Sequence, residues 1–280
     1  MARLGANHYG KSRVRLSRIT RNGDRHDFVE WTIRVLLEGD FDASFTEADN
    51  SSILPTDTMK NTVYSLARSS NTETMEEFAM ELGDYLLTNN AHVTRASIEI
   101  ADKVWERLTL NGIAEPTTFK LGGPELSTTR ATRTQGLPWQ INSGVEALTI
   151  LKTTRSAFTG YIVDKLTTLK PATDRIFGTS ATATWDYSST NLQFNEVRNR
   201  VIAALLKTFA DHDSQSVQHT LFDMGQAALA AAPEIARITL AMPNLHHLLA
   251  NLEIFGQDNP NHIFIPIDEP HGTIEATIER

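Results

Sequence analysis

The sequence predicts an α+β fold built from two similar halves. Three observations carry this: period-two alternation marks several strands, capped stripes of period 3.6 mark helices, and the order strand–strand–helix–helix–strand–strand recurs after about 140 residues. Residues 1–125 are expected to form the first unit and residues 126–280 the second.

Taken in chain order, residues 11–20 alternate loosely through Val14 and Leu16. Residues 26–40 alternate cleanly, with Val29, Trp31, Ile33, Val35 and Leu37 opposite Glu30, Thr32 and Arg34. Asn22-Gly23 between the two runs is a hairpin signal, because both residues tolerate the positive φ of a tight turn. After Pro55, Thr56 is expected to cap a helix to about Arg68. Thr74 is expected to cap another to Leu87, with Met75, Phe78, Leu82 and Leu86 as its apolar stripe. Alternation returns over residues 93–110 through Ile98 and Ile100, and Phe119 to Leu121 before Gly122-Gly123 closes a further strand.

The second half is expected to open with strands near 128–141 and 145–155, followed by helices near 191–211 and 216–231. Phe194, Val197, Val201, Leu205 and Phe209 form one helical face, and Val217, Leu221, Met224 and Ala228 another. Strands then run through Ala236, Ile238, Leu240 and Met242, and through Ile263, Ile265 and Ile267. Open antiparallel sheets leave edges that invite pairing, and closure through neighbouring subunits is one physical answer to that problem.

The chain of 280 residues is 40% hydrophobic and 21% charged, as expected of a folded globular protein. Its net charge of -8, from 26 basic and 34 acidic residues, argues against a surface that neutralises nucleic-acid phosphates. No apolar run approaches the length of about 20 residues that spans a bilayer, and residues 1–20 lack the apolar stretch of a secretory signal; a cytoplasmic protein is expected. The absence of cysteine removes disulfides, thiolate nucleophiles and cysteine-ligated metals.

Residues 5–12, GANHYGKS, satisfy the P-loop expression. A P-loop needs a buried strand before the glycines and a helix after them, so that amides at the helix start bind phosphate. Only four residues precede Gly5, and Lys11 leads into strand-like alternation, so the match is rejected.

Six separated patterns carry more weight together. They are YGK at Tyr9 to Lys11, DNS and TD between Asp49 and Asp57, F-x-G at Phe158 to Gly160, Asp174-Arg175, SVQ at Ser216 to Gln218, and N-x-H at Asn244 to His246. In this order and at this spacing the chain resembles the bacterial urate oxidases. The resemblance implies a duplicated tunnelling fold (T-fold), a homotetramer with active sites at subunit interfaces, and oxidation of urate by O2 and water with no cofactor and no metal. The chain ends Ile278-Glu279-Arg280 rather than in a Ser-Lys-Leu-type peroxisomal address, which fits a bacterial cytoplasmic enzyme.

Urate is a flat anionic purine, so its site calls for an aromatic face, a planar cation and an amide that both donates and accepts. By resemblance, Phe158 stacks on the purine, Arg175 grips one edge and Gln218 reads the other. Val217 and Gln218 add backbone amides at an expected helix start. Lys11 and Thr56 resemble the family's proton-transferring dyad, with His246 coupled to it, Asn244 holding oxygen or water, and Asp57 supporting binding. Taken singly, Phe158 reads as a core residue, Arg175 as a surface cation and Val217 as part of a helical stripe.

Two other classes stay open on the residues alone. One is a pteridine- or purine-related cyclohydrolase of the same fold, which would need zinc ligands. The other is a purine-binding module without chemistry, against which Lys11, Thr56 and His246 argue. His212 between Asp211 and Asp213, and the adjacent His246 and His247, match no recognised metal spacing, and Asp211 to Asp213 reads as a turn at a helix end.

Overall fold

The computed structural model describes residues 2–267 and 269–280. Two compact units are present, one comprising Met1–Val145 with Asp186–Asn195 and the other Glu146–Trp185 with Glu196–Arg280.

In the first unit, β1 (Tyr9–Asn22), β2 (Arg25–Gly39), β3 (Val93–Leu110) and β4 (Ile113–Thr134) form an antiparallel sheet in that order. The β1–β2 ladder closes at Asn22↔Arg25, and Gly23 takes the turn at φ 62°. On β2, Trp31, Ile33, Val35 and Leu37 are buried while Glu30, Thr32 and Arg34 alternate with them at half-buried positions. The buried face packs on α2 (Thr56–Ser69) through Met59 and Val63 and on α3 (Met75–Asn89) through Phe78, Leu82 and Leu86; the Trp31 and Phe78 rings lie 5.3 Å apart. Each such side chain contributes about 1.5 to 3 kcal/mol on burial, so this helix-on-sheet layer is the main stabilising element of the unit. Thr74 forms a complete capping box with Glu77 at the start of α3. A short helix, α1 (Asp42–Thr46), lies between β2 and α2.

The second unit takes in the end of β5 (Gln140–Lys152), β6 (Phe177–Tyr187), β7 (Ile235–Ala241) and β10 (Glu275–Glu279) in that sheet order. Helices α4 (Phe194–Asp211) and α5 (Val217–Ala231) contribute Val197, Val201, Leu205, Leu221, Met224 and Ala228 to its buried set, and the Phe177 and Phe209 rings lie 5.1 Å apart. Two shorter strands, β8 (Asn244–Leu249) and β9 (Phe264–Ile267), pair with each other, and β8 also pairs with β6.

The element order is therefore ββααββ twice, the T-fold arrangement, with the short α1 inserted in the first copy and β8 and β9 in the second. Several expected boundaries shift. Gly122-Gly123 does not end a strand: both glycines lie inside β4, where the β3–β4 register slips between Lys103 and Trp105. The strand expected near 128–141 is accordingly the end of β4, and that near 145–155 belongs to β5. Strand β6 was not anticipated: Phe177 and Trp185 are large and buried at its two ends, but the buried positions between them, Thr179, Ala181 and Ala183, are too small to give hydrophobic contrast. Thr56 opens α2 rather than capping it, since Pro55 occupies the N-cap position and no side chain caps that helix.

Candidate active site

In the second unit, Phe158, Arg175, Val217, Gln218, Asn244 and His246 line one cavity of about 300 Å³ with Ile176, His247 and Leu248. Phe158 and Arg175 belong to the segment between β5 and β6. That segment is held by paired backbone hydrogen bonds between Phe158 and Ala172, at 2.8 and 3.1 Å. Asp174 fixes its base: Thr154 Oγ1 donates to the carboxylate at 2.8 Å and the Ser156 amide donates at 3.4 Å. These donors, the Thr154 hydroxyl first, hold the Asp174 carboxyl below its ordinary pKa.

Arg175 lies with Cζ 5.3 Å from the Phe158 ring centroid, a cation–π arrangement. Burial lowers its pKa from the ordinary guanidinium value, and its Nε is buried with no acceptor among the described residues. A partly desolvated guanidinium lining a cavity favours an anion there, because a charge-assisted acceptor offsets the lost hydration. Tyr161 stacks on Phe158, with centroids 5.0 Å apart and planes at 15°, and its hydroxyl donates to the Leu169 carbonyl at 2.7 Å. Tyr161 lay outside the six motifs, and no periodic signal marks it.

Val217 and Gln218 are the first two residues of α5. Ser216 caps the helix by accepting from the His219 amide at 3.1 Å, which leaves the Val217 and Gln218 amides to the cavity side of the helix start. Asn244 and His246 come from β8, and alternate residues on a strand share a face. Asn244 Nδ2 lies 3.3 Å from His246 Nδ1; the amide donates, so the ring proton of neutral His246 sits on Nε2. Burial first, then the charges of Arg175 and His271, hold His246 below the ordinary histidine pKa.

Lys11, Thr56 and Asp57 belong to the first unit. Gly10 permits the local geometry, since a Cβ there would stand 1.8 Å from the Val35 carbonyl oxygen. The β1–β2 register then slips between Lys11 and Val14. Tyr9, T-shaped against Phe41 at 4.8 Å, accepts the Leu54 amide on its hydroxyl oxygen at 2.8 Å and so ties the entry to α2 onto β1. Asp57 pairs with Lys60 and accepts from Asn61 at 3.0 Å. Lys60 foremost, and Lys11 among the weaker causes, keep its carboxyl below the ordinary range. The first motif is therefore a structural unit: tyrosine locks α2, glycine admits the close strand, and lysine follows at the bulge. Lys11 lies on β1 with no helix after it, which disposes of the P-loop match.

A family model described as Uricase matches residues 7–132 and 141–275. The Uricase of Arthrobacter globiformis is 40% identical over 277 residues, spanning 99% of this chain and 90% of that protein. Uricase-2 isozyme 1 of Glycine max is 39% identical over 293 residues, spanning 97% of this chain and 94% of that protein. The crystal structure of the Arthrobacter globiformis uricase aligns with a TM-score of 0.94, covering 100% of this chain and 96% of that one.

Proposed function

The chain belongs to the uricase family, and from that premise we propose that it oxidises urate with O2 and water, giving 5-hydroxyisourate and hydrogen peroxide. The observation that carries this reading is the buried Arg175 Nε, with no acceptor among the described residues, beside the Phe158 ring in a cavity of about 300 Å³. Phe158 stacks on the purine, a contact that contributes about 1 to 3 kcal/mol per base in nucleobase recognition. Arg175 makes a forked contact to one edge of the anion, the Gln218 amide reads the opposite edge, and the Val217 and Gln218 backbone amides stabilise its charge.

Ground-state oxygen is a triplet and does not combine directly with a closed-shell molecule. Deprotonated urate is electron-rich enough to pass one electron to oxygen; recombination of the radical pair then forms a peroxide at C5. Loss of hydrogen peroxide and addition of water give the product, so urate, O2 and H2O balance 5-hydroxyisourate and H2O2. No external cofactor enters this sequence. Lys11 and Thr56 move protons through the Thr56 hydroxyl, with neutral His246 completing the relay, and Asn244 holds oxygen or water over the ring. Positioned acid–base groups of this kind contribute about 10²- to 10⁴-fold in rate.

The active form in this reading is a homotetramer enclosing a tunnel, in which Lys11, Thr56 and Asp57 of one subunit complete the cavity of a neighbour. Among the described residues no helix is long and apolar enough to cross a membrane, and we place the protein in a bacterial cytoplasm. The deciding experiment follows urate absorbance in air, with oxygen uptake and peroxide release measured alongside, on protein dialysed against chelator. One O2 consumed and one peroxide formed per urate is the expected result. An absence of urate-dependent oxygen uptake at any practical enzyme concentration overturns the assignment; activity that a specific metal must restore overturns the cofactor-free mechanism.

A further inference from the structure

Outside the cavity, three potential ligands converge where α4 gives way to α5. His212 follows the last residue of α4, while His219 and Asp223 stand four residues apart on one face of α5. His212 Nε2 lies 3.1 Å and His219 Nε2 3.8 Å from Asp223 Oδ2, and the three donor atoms all lie within 4.8 Å of one another. None of the three side chains lines the cavity of Phe158 and Arg175.

We propose that His212, His219 and Asp223 form a binding site for one borderline divalent transition ion, Zn2+ being the representative case. A hydrogen-bond chain holds the His212 ring. The Ser214 hydroxyl donates to the Ser216 carbonyl at 3.2 Å, and the Thr220 hydroxyl donates to Ser214 Oγ at 2.7 Å. Thr220 Oγ1, whose proton also reaches the Ser216 carbonyl at 3.2 Å, lies 3.1 Å from His212 Nδ1, where it can accept the ring proton. Ser214 and Thr220 are both buried, so this arrangement is shielded from competing water. In the tautomer with its proton on Nδ1, the lone pair of His212 Nε2 faces the Asp223 carboxylate at 3.1 Å, and a cation between the two acceptors is stabilised by both.

A divalent ion leaves both rings in the neutral form that ligates. Tetrahedral zinc with bonds of about 2.0 to 2.1 Å sets neighbouring donors about 3.3 Å apart; the His212–Asp223 pair at 3.1 Å matches this, and His219, 3.8 Å from Asp223, must move closer. The His219 ring, exposed at the helix surface, is free to make the remaining adjustment. Three protein ligands leave the fourth position to water, and imidazole with carboxylate selects zinc and its neighbours over Mg2+ or Ca2+.

The test titrates full-length, untagged protein with Zn2+ against a chromophoric chelator, and with Co2+ while recording the visible spectrum. The expected result is one ion per chain and the intense d–d bands of four-coordinate cobalt. His219→Ala and Asp223→Asn should both abolish this stoichiometric binding, and Thr220→Val, which releases the His212 ring, should lower affinity about 10- to 100-fold. Because His219 is exposed, His219→Ala keeps the test decisive even if Thr220→Val fails to fold. Equal Zn2+ affinity in wild type and His219→Ala, or a cobalt spectrum that remains that of the hydrated ion, overturns the site.

Discussion

Replacing Arg175 by Gln removes the one guanidinium among the residues lining the cavity while keeping a planar polar group there. Part of the cost of desolvating this side chain is already met in the folded protein, as its lowered pKa and its unpartnered Nε indicate. A forked contact to an anion therefore returns more of its value than it would at a fully hydrated guanidinium. Each hydrogen bond to a charged group contributes about 1.5 to 3 kcal/mol, and two imperfectly independent bonds give about 3 to 4 kcal/mol, or about 100- to 1000-fold in affinity. The assay is equilibrium binding of a urate-like inhibitor that cannot be oxidised, measured by calorimetry on wild type and Arg175→Gln. Arg175→Lys should recover only part of the loss, because an ammonium keeps the charge but not the fork. If Arg175→Gln folds normally and its affinity stays within about threefold of wild type, Arg175 is not the anion anchor and the argument from its orphaned donor fails.

Lys11→Met should lower urate turnover while leaving inhibitor affinity nearly intact, the reverse of Arg175→Gln; calorimetry and steady-state kinetics on the pair separate proton transfer from anchoring. Gly10→Ala forces a Cβ to 1.8 Å from the Val35 oxygen and should cost about 1 to 3 kcal/mol or more in thermal or denaturant unfolding, whereas Gly123→Ala, with nothing closer than 3.9 Å, is the near-neutral control. His246 is held neutral by burial and by Arg175, so protonating it is penalised: its contribution to stability is complete above the ordinary histidine value and is lost as pH falls through the depressed one. Turnover should show an acid limb below the ordinary histidine range, and Arg175→Gln at saturating urate should move that limb to higher pH; an unmoved limb assigns it to another group. Co-refolding inactive Thr56→Ala with inactive Arg175→Ala subunits should restore about one site in four, given random isologous pairing; mixed oligomers with no recovery refute the shared site.

What the sequence made legible follows from how burial is written into residue type. On β2, Trp31, Ile33, Val35 and Leu37 differ from their neighbours in both size and polarity, and the period of two is plain. On β6 the same period runs from Phe177 through Thr179, Ala181 and Ala183 to Trp185, but the three small side chains in the middle bury little area and leave no contrast to read between the two aromatics. Gly122-Gly123 has the composition of a terminator and lies within β4, because pairing with β3 on both sides of the register slip outweighs the local preference of two glycines.

The cavity is a different case. Phe158, Arg175, Gln218 and His246 share no helical or strand period, so only their joint occurrence as motifs identified them, and only the fold shows that they line one space. The cluster at the end of α4 marks the limit of that approach. Read along the chain, His212 sits among Asp211 and Asp213, a turn. In three dimensions those two carboxylates turn to Lys207 and Arg155, and His212 meets His219 and Asp223 from the next helix. Once Asp211 and Asp213 are neutralised by their own cations, Asp223 is left as the carboxylate facing two imidazoles. The turn therefore determines which carboxylate remains able to share a cation with His212, a selection that spacing along the chain does not encode.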